Sequence, residues 1–158
     1  MKPAVLIPVI LGVLASSCSM MPAAFWKRYR PELILKKSSD QGPWGGVRKV
    51  VWKCEKPDGF VAGELIDYAA QNGWPFVDSL RLVDGLPEMP AGGGDADCSL
   101  SLLRREAEAA GVTDCRVLRF RTGWIAVEPG NARDTETNGF LLLSADGTGL
   151  TMLHRWGE

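Results

Sequence analysis

Residues 140–156 read FLLLSADGTGLTMLHRW, and they decide the fold. Two apolar runs, Phe140–Ala145 and Leu150–Trp156, flank Asp146-Gly147-Thr148-Gly149. A short Asp/Gly cluster between apolar runs is a hairpin signal, because those residues accept the backbone angles of a tight turn. The chain therefore closes on an antiparallel pair. Upstream, Cys115–Arg121 reads as a strand, Thr122-Gly123 as a turn and Trp124–Glu128 as the next strand. Pro129-Gly130-Asn131 and the polar stretch to Asn138 read as a loop. The C-terminal third is thus a β-meander.

Moving toward the N-terminus, Ser99–Ala110 carries Leu100, Leu103, Ala107 and Ala110 as a narrow apolar stripe. Arg104, Arg105, Glu106 and Glu108 form its wet face, and Gly111 stops this helix. Phe76–Val83 reads as a strand closed by Asp84-Gly85. Phe60–Asn72 reads as a helix, with Val61, Leu65 and Tyr68 on one face and Ala62, Ile66 and Ala69 beside them. Asp58 is its expected N-cap and Gly73 its left-handed stop. Val47–Glu55 reads as the first strand. The order β-α-β-α-β-β-β-β implies an α+β domain: one mainly antiparallel sheet with both helices on one face.

The first residues follow different rules. Lys2 precedes an apolar run through Leu14, then Ala15-Ser16-Ser17-Cys18. One positive charge, an apolar core and small residues make a secretory leader. Leu14-Ala15-Ser16-Ser17-Cys18 resembles the lipobox of bacterial lipoproteins. It departs from that pattern in one place: Ala15 stands where the family usually carries Leu, and Leu14 lies one position further out. The resemblance covers the leader alone. It implies a diacylglycerol on the Cys18 thiol, cleavage before Cys18, and a periplasm-facing chain. In that family a Ser just after the cysteine, Ser19 here, goes with sorting to the outer rather than the inner membrane. The expected organisation is a signal peptide 1–17, a lipid-anchored tether 18–46 and a single domain 47–158. The rival readings are plain cleaved secretion and an uncleaved span, the latter because no charge occurs from Pro3 to Trp26. Phe25 and Trp26 would then form an interfacial belt ahead of Lys27, Arg28 and Arg30.

The full chain has 158 residues and a formal net charge of −1. The charge is uneven: residues 27–56 hold nine Lys/Arg against three Asp/Glu, and residues 57–100 hold one against eight. A basic stem beside an anchor is drawn to anionic headgroups, or simply keeps a tether solvated. The acidic middle argues against nucleic acid, which needs a continuous basic face.

After Cys18 come Cys54, Cys98 and Cys115. An oxidising compartment lets two of them pair. Cys98 and Cys115 flank one helix and are the first candidates; three free thiols are the alternative. No Cys-x-x-Cys pair occurs, so no metal site is expected, and no cofactor.

His154 is the single histidine and lacks partners of its kind. A nucleophile pair with Cys54 or Cys115 is weighed against an ordinary strand histidine, and the latter is preferred. Gly92-Gly93-Gly94-Asp95-Ala96-Asp97 lacks the lysine of a phosphate loop and the further ligands of a calcium loop. It reads as a plain loop. Glu64 and Asp67 lie one turn apart and could form an acid–base pair, though acids on an amphipathic helix are usually just solvated. Among the six tryptophans, Trp52, Trp124 and Trp156 read as core, and Trp44 and Trp74 as a binding surface. Arg116, Arg119 and Arg121 could meet an acidic partner, or form an outward strand face.

The function expected is a membrane-anchored envelope module that binds a protein, in its sharpest form an inhibitor or immunity-type protein. The alternatives are a carboxylate-based envelope hydrolase and a structural envelope component.

Overall fold

The computed structural model describes residues 23–41, 45–84, 86–87, 98–109, 114–128 and 131–157. Cys18, Trp44 and the glycine loop at 92–97 lie outside the described residues. Seven strands make one sheet: β1 (Ile34–Gln41), β2 (Gly45–Lys53), β3 (Phe76–Val83), β4 (Leu86–Pro87), β5 (Cys115–Glu128), β6 (Asn131–Ser144) and β7 (Gly149–Gly157). Their spatial order is β1-β2-β7-β6-β5-β3-β4, with antiparallel neighbours throughout. Two helices, α1 (Ala62–Gln71) and α2 (Cys98–Ala109), complete the α+β fold.

The β6–β7 turn forms where the sequence places it. Gly147 has φ +67, and its N–H donates to Ser144 O at 3.0 Å. The Asp146 carboxylate accepts from the Ser144 hydroxyl and from the Thr148 N–H and hydroxyl. These donors favour the ionised form and hold Asp146 down to about 2. The same turn receives the β2–α1 loop: Asp58 N–H donates to Asp146 O, and Phe60 N–H to Gly147 O. Asp58 is spent in this loop at φ +55, so it does not cap α1, whose N-cap is Val61.

The helices lie on opposite faces of the sheet, not on one. Alternate residues of the central strands separate cleanly. Leu118, Phe120, Leu141, Leu143, Leu150 and Met152 pack with Leu65 and Ala69 of α1. Val117, Phe140, Leu142 and Leu153 pack with Leu103 and Ala107 of α2. The physical reason is in the unbroken run Phe140–Leu143: a strand apolar at every position buries both faces. Lys49 of β2 meets Glu106 of α2 at 2.5 Å and ties the second helix to its face.

Residues 23–41, within the stretch expected as a tether, are folded onto the domain. Two 3₁₀ turns, Ala24–Arg28 and Pro31–Leu33, lead into β1, which forms an edge of the sheet. Trp26 is fully buried, with its ring centroid 6.2 Å from that of Trp52 and 5.9 Å from that of Trp74. Trp52 Nε1–H donates to Tyr29 O at 2.8 Å, and Tyr68 O–H to Phe25 O at 2.9 Å. Phe25 and Trp26 therefore build core and form no belt. Only residues 19–22 separate Cys18 from the first described residue.

The meander differs from expectation as well. Cys115–Glu128 is one long strand that runs through Thr122-Gly123, with Gly123 at φ +73 and irregular register beyond Phe120. Its partner β6 begins at Asn131, inside the expected loop.

Candidate functional site

The antiparallel register of β3 and β5 places Arg81 directly opposite Arg116. Like charges facing each other across two strands repel. Both residues are exposed, and together with Ser79, Leu80, Cys115 and Ala145 they line a cleft of about 450 Å³. Arg116 Nη2 donates to Ser79 Oγ at 3.2 Å, which holds its guanidinium toward the cleft. Neither arginine is in an ion pair with a described residue. Two exposed guanidinium groups, that of Arg116 bonded to a hydroxyl, suit a planar anion, because a guanidinium fork can offer two parallel N–H donors.

Of the three arginines singled out in β5, only Arg116 lines this cleft. Arg119 stands on the α2 face, where its Nε and Nη2 grip both oxygens of Asp78. Its charge is already matched. Arg121 is exposed past the register shift, with its backbone N–H donated to Pro75 O at 3.0 Å. Arg81 was missed. Its signal was present: it is the single cation in the acidic stretch 57–100.

The second polar cluster is buried. His154, on the α1 face of β7, is fully enclosed between Trp74 (centroids 5.2 Å) and Trp156 (5.1 Å, stacked). Thr122 O–H donates to Asn138 Oδ1, and Asn138 Nδ2 donates to Trp124 O at 2.6 Å. With its one proton spent, Thr122 Oγ1 can only accept from His154 Nε2, 3.2 Å away. It accepts as well from Trp124 N–H at 3.3 Å. These bonds fix the neutral Nε2–H tautomer and leave Nδ1 without a hydrogen-bond partner among the described residues. Burial, and then the Arg48 charge, push His154 down to about 3. Gly139 belongs to this cluster: a Cβ there would meet Trp74 Cζ3 at 2.6 Å and Thr122 Cγ2 at 2.7 Å.

This histidine activates neither Cys54 nor Cys115. Cys115 lies on the opposite face of the sheet, under α2. His154 pairs with Arg48 on β2, whereas Cys54 follows Lys53, which pairs with Gly149 at the far end. Six residues of strand separate Cys54 from Arg48, about 20 Å. Cys54 and Cys115 are free thiols, so the expected Cys98–Cys115 bridge is not formed. Cys115 is instead a core residue, and burial, with the Asp114 charge beside it, pushes its thiol up to about 11.

Trp74 is no surface anchor. Gly73 at φ +84 ends α1 with two bonds: Gly73 N–H to Ala70 O, and Trp74 N–H to Ala69 O. This pattern turns the residue after the glycine back onto the helix, and here it carries Trp74 into the core. Trp52 is buried as expected, Trp156 is half-buried, and Trp124 is 39% exposed rather than core. Glu64 and Asp67 are both exposed, and Glu64 is paired with Arg30 at 3.0 Å. No cluster of metal-ligating side chains occurs among the described residues. No described helix is long and apolar enough to cross a membrane.

No family model, no curated protein and no solved structure matches this chain.

Proposed function

We propose that this chain is an exported binding protein of the cell envelope. A lipid on Cys18 holds it to the membrane, facing the periplasm and favouring the outer membrane. Its partner is a protein that presents a carboxylate to Arg81 and Arg116. The observation that carries this reading is the juxtaposition of the two guanidinium groups in one cleft, without a carboxylate of the described chain between them. A partner's Asp or Glu entering the cleft would cancel the repulsion and gain charge-assisted bonds. An inhibitor or immunity-type protein is the version in which this contact blocks the partner. The hydrolase alternative draws no support from Glu64 and Asp67, which lie on a solvated helix face.

The test compares capture from solubilised envelope by the wild-type chain and by the Arg81→Glu/Arg116→Glu variant. A protein bound stoichiometrically by the first and lost by the second, with thermal stability unchanged, is the expected result. Equal capture by both, or no specific partner at all, would overturn the reading.

A further inference from the structure

The sheet has a second basic feature, and it lies at the other edge. β1 is the outer strand there, five strand positions from β3. Lys27 of the first 3₁₀ turn and Lys37 of β1 line a cleft of about 230 Å³ with the hydroxyl residues Ser38 and Ser39. Arg48, buried, and Lys49, tied to Glu106, complete its wall. Lys27 and Lys37 are exposed and are in no ion pair with a described residue. Arg28 and Lys36, next to them in sequence, are exposed too. Lys37 and Ser39 share the α1 face of this edge with buried Arg48, whereas Ser38 and Lys49 belong to the opposite face. Folding has thus brought exposed lysines from two separate elements beside a hydroxyl, a combination that can hold a phosphodiester.

We infer that this edge seats on the phosphates of anionic lipids and sets the orientation of the domain. The inference rests on the lipid anchor proposed above and adds the surface that meets the bilayer. Chain length selects the membrane over other anions. Ala23, the first described residue, follows Cys18 by five residues, which reach at most about 18 Å when extended. A lipid on Cys18 therefore keeps Lys27, four residues further along, within reach of the headgroups, whose surface charge acts within about 10 Å. With β1 toward the bilayer, the Arg81–Arg116 cleft lies about 25 Å away across the sheet, at about 4.8 Å per strand, and opens to the periplasm. Lysines on an edge strand also discourage strand pairing, but that role needs no hydroxyl-lined cleft and no lysine from outside the strand.

The test uses the lipidated chain in vesicles of phosphatidylcholine alone or with about a third phosphatidylglycerol. A water-soluble amine reagent is applied, and each lysine is quantified by mass spectrometry. Labelling of Lys27 and Lys37, relative to exposed Lys56 in the β2–α1 loop, is expected to fall about fivefold on the anionic vesicles. Salt at about 0.5 M should restore it. Equal labelling on both vesicles would overturn the inference. So would equal protection by dissolved inorganic phosphate on neutral vesicles, which would make the site one for a free anion. If the chain proves to carry no lipid, the anchor reading fails separately. Flotation with anionic but not neutral vesicles would then still support this surface, and no flotation with either would overturn it.

Discussion

Acid should weaken this domain through His154. The ring is fully buried, its tautomer is set by Thr122, and it stays neutral down to about 3. In the unfolded chain a histidine takes up its proton near 6.5. Between those values the unfolded state binds one more proton than the folded state. The contribution is therefore intact above the unfolded value and is lost as pH falls from there toward the folded one. Each pH unit within that window costs about 1.4 kcal/mol. Going from pH 7 to about pH 4.5 then removes about 2.5 kcal/mol, a large part of the stability of a small domain. Urea unfolding at both pH values, for wild type and for His154→Gln, isolates this contribution from that of the carboxylates. The variant should start less stable but lose about 2.5 kcal/mol less on acidification. Parallel losses in the two proteins would refute the assignment of a buried, neutral His154.

Three further outcomes follow from the packing. Trp26→Ala should cost about 3–5 kcal/mol in urea unfolding, because its ring contacts Trp52, Trp74 and Tyr68; a loss under about 0.5 kcal/mol would return this segment to a tether. Gly139→Ala should destabilise the domain by about 1–3 kcal/mol, since the new methyl collides with Trp74 and Thr122; a thermal midpoint equal to wild type would contradict that close approach. Cys115 should resist alkylation in the native protein while half-buried Cys54 reacts first, as peptide mapping would report; native labelling of Cys115 at the rate of Cys54 would contradict its burial under α2.

Much of the architecture is visible in local chemistry. Phe76–Val83 is a strand over the residues expected, and Asp146–Gly149 makes the expected hairpin. Gly73 stops α1, but the stop has a second consequence that composition hides. The bond from Trp74 N–H back to Ala69 O swings the tryptophan inward, so a residue beside Gly and Pro is core. β1 was illegible because an edge strand of Lys, Ser and Asp buries no continuous face and resembles solvated linker. The opposed helices were legible in principle. Phe140–Leu143 alternates with nothing polar, and a strand of that kind needs cover on both sides.

The candidate site was half visible. Arg116 stood out among charged residues of a strand, but its partner Arg81 is 35 positions earlier in the chain. Only the β3–β5 register brings the two together. The same holds for Lys27 and Lys37, which a 3₁₀ turn and an edge strand unite. His154 was singled out for its rarity, yet its role depends on Thr122 and Asn138, which a bulged, irregular ribbon folds against it.

The proposed function requires that the domain is exported and anchored at Cys18. The direct measurement is the intact mass of the chain extracted from membranes, with and without an inhibitor of the lipoprotein signal peptidase. The expected mass is that of a chain of 141 residues, 158 less the 17 of the leader, beginning at Cys18 and carrying a diacylglyceryl and an acyl group. Inhibition should retain the leader. A full-length, unlipidated mass under both conditions would contradict the anchor and remove the periplasmic setting proposed for the Arg81–Arg116 cleft.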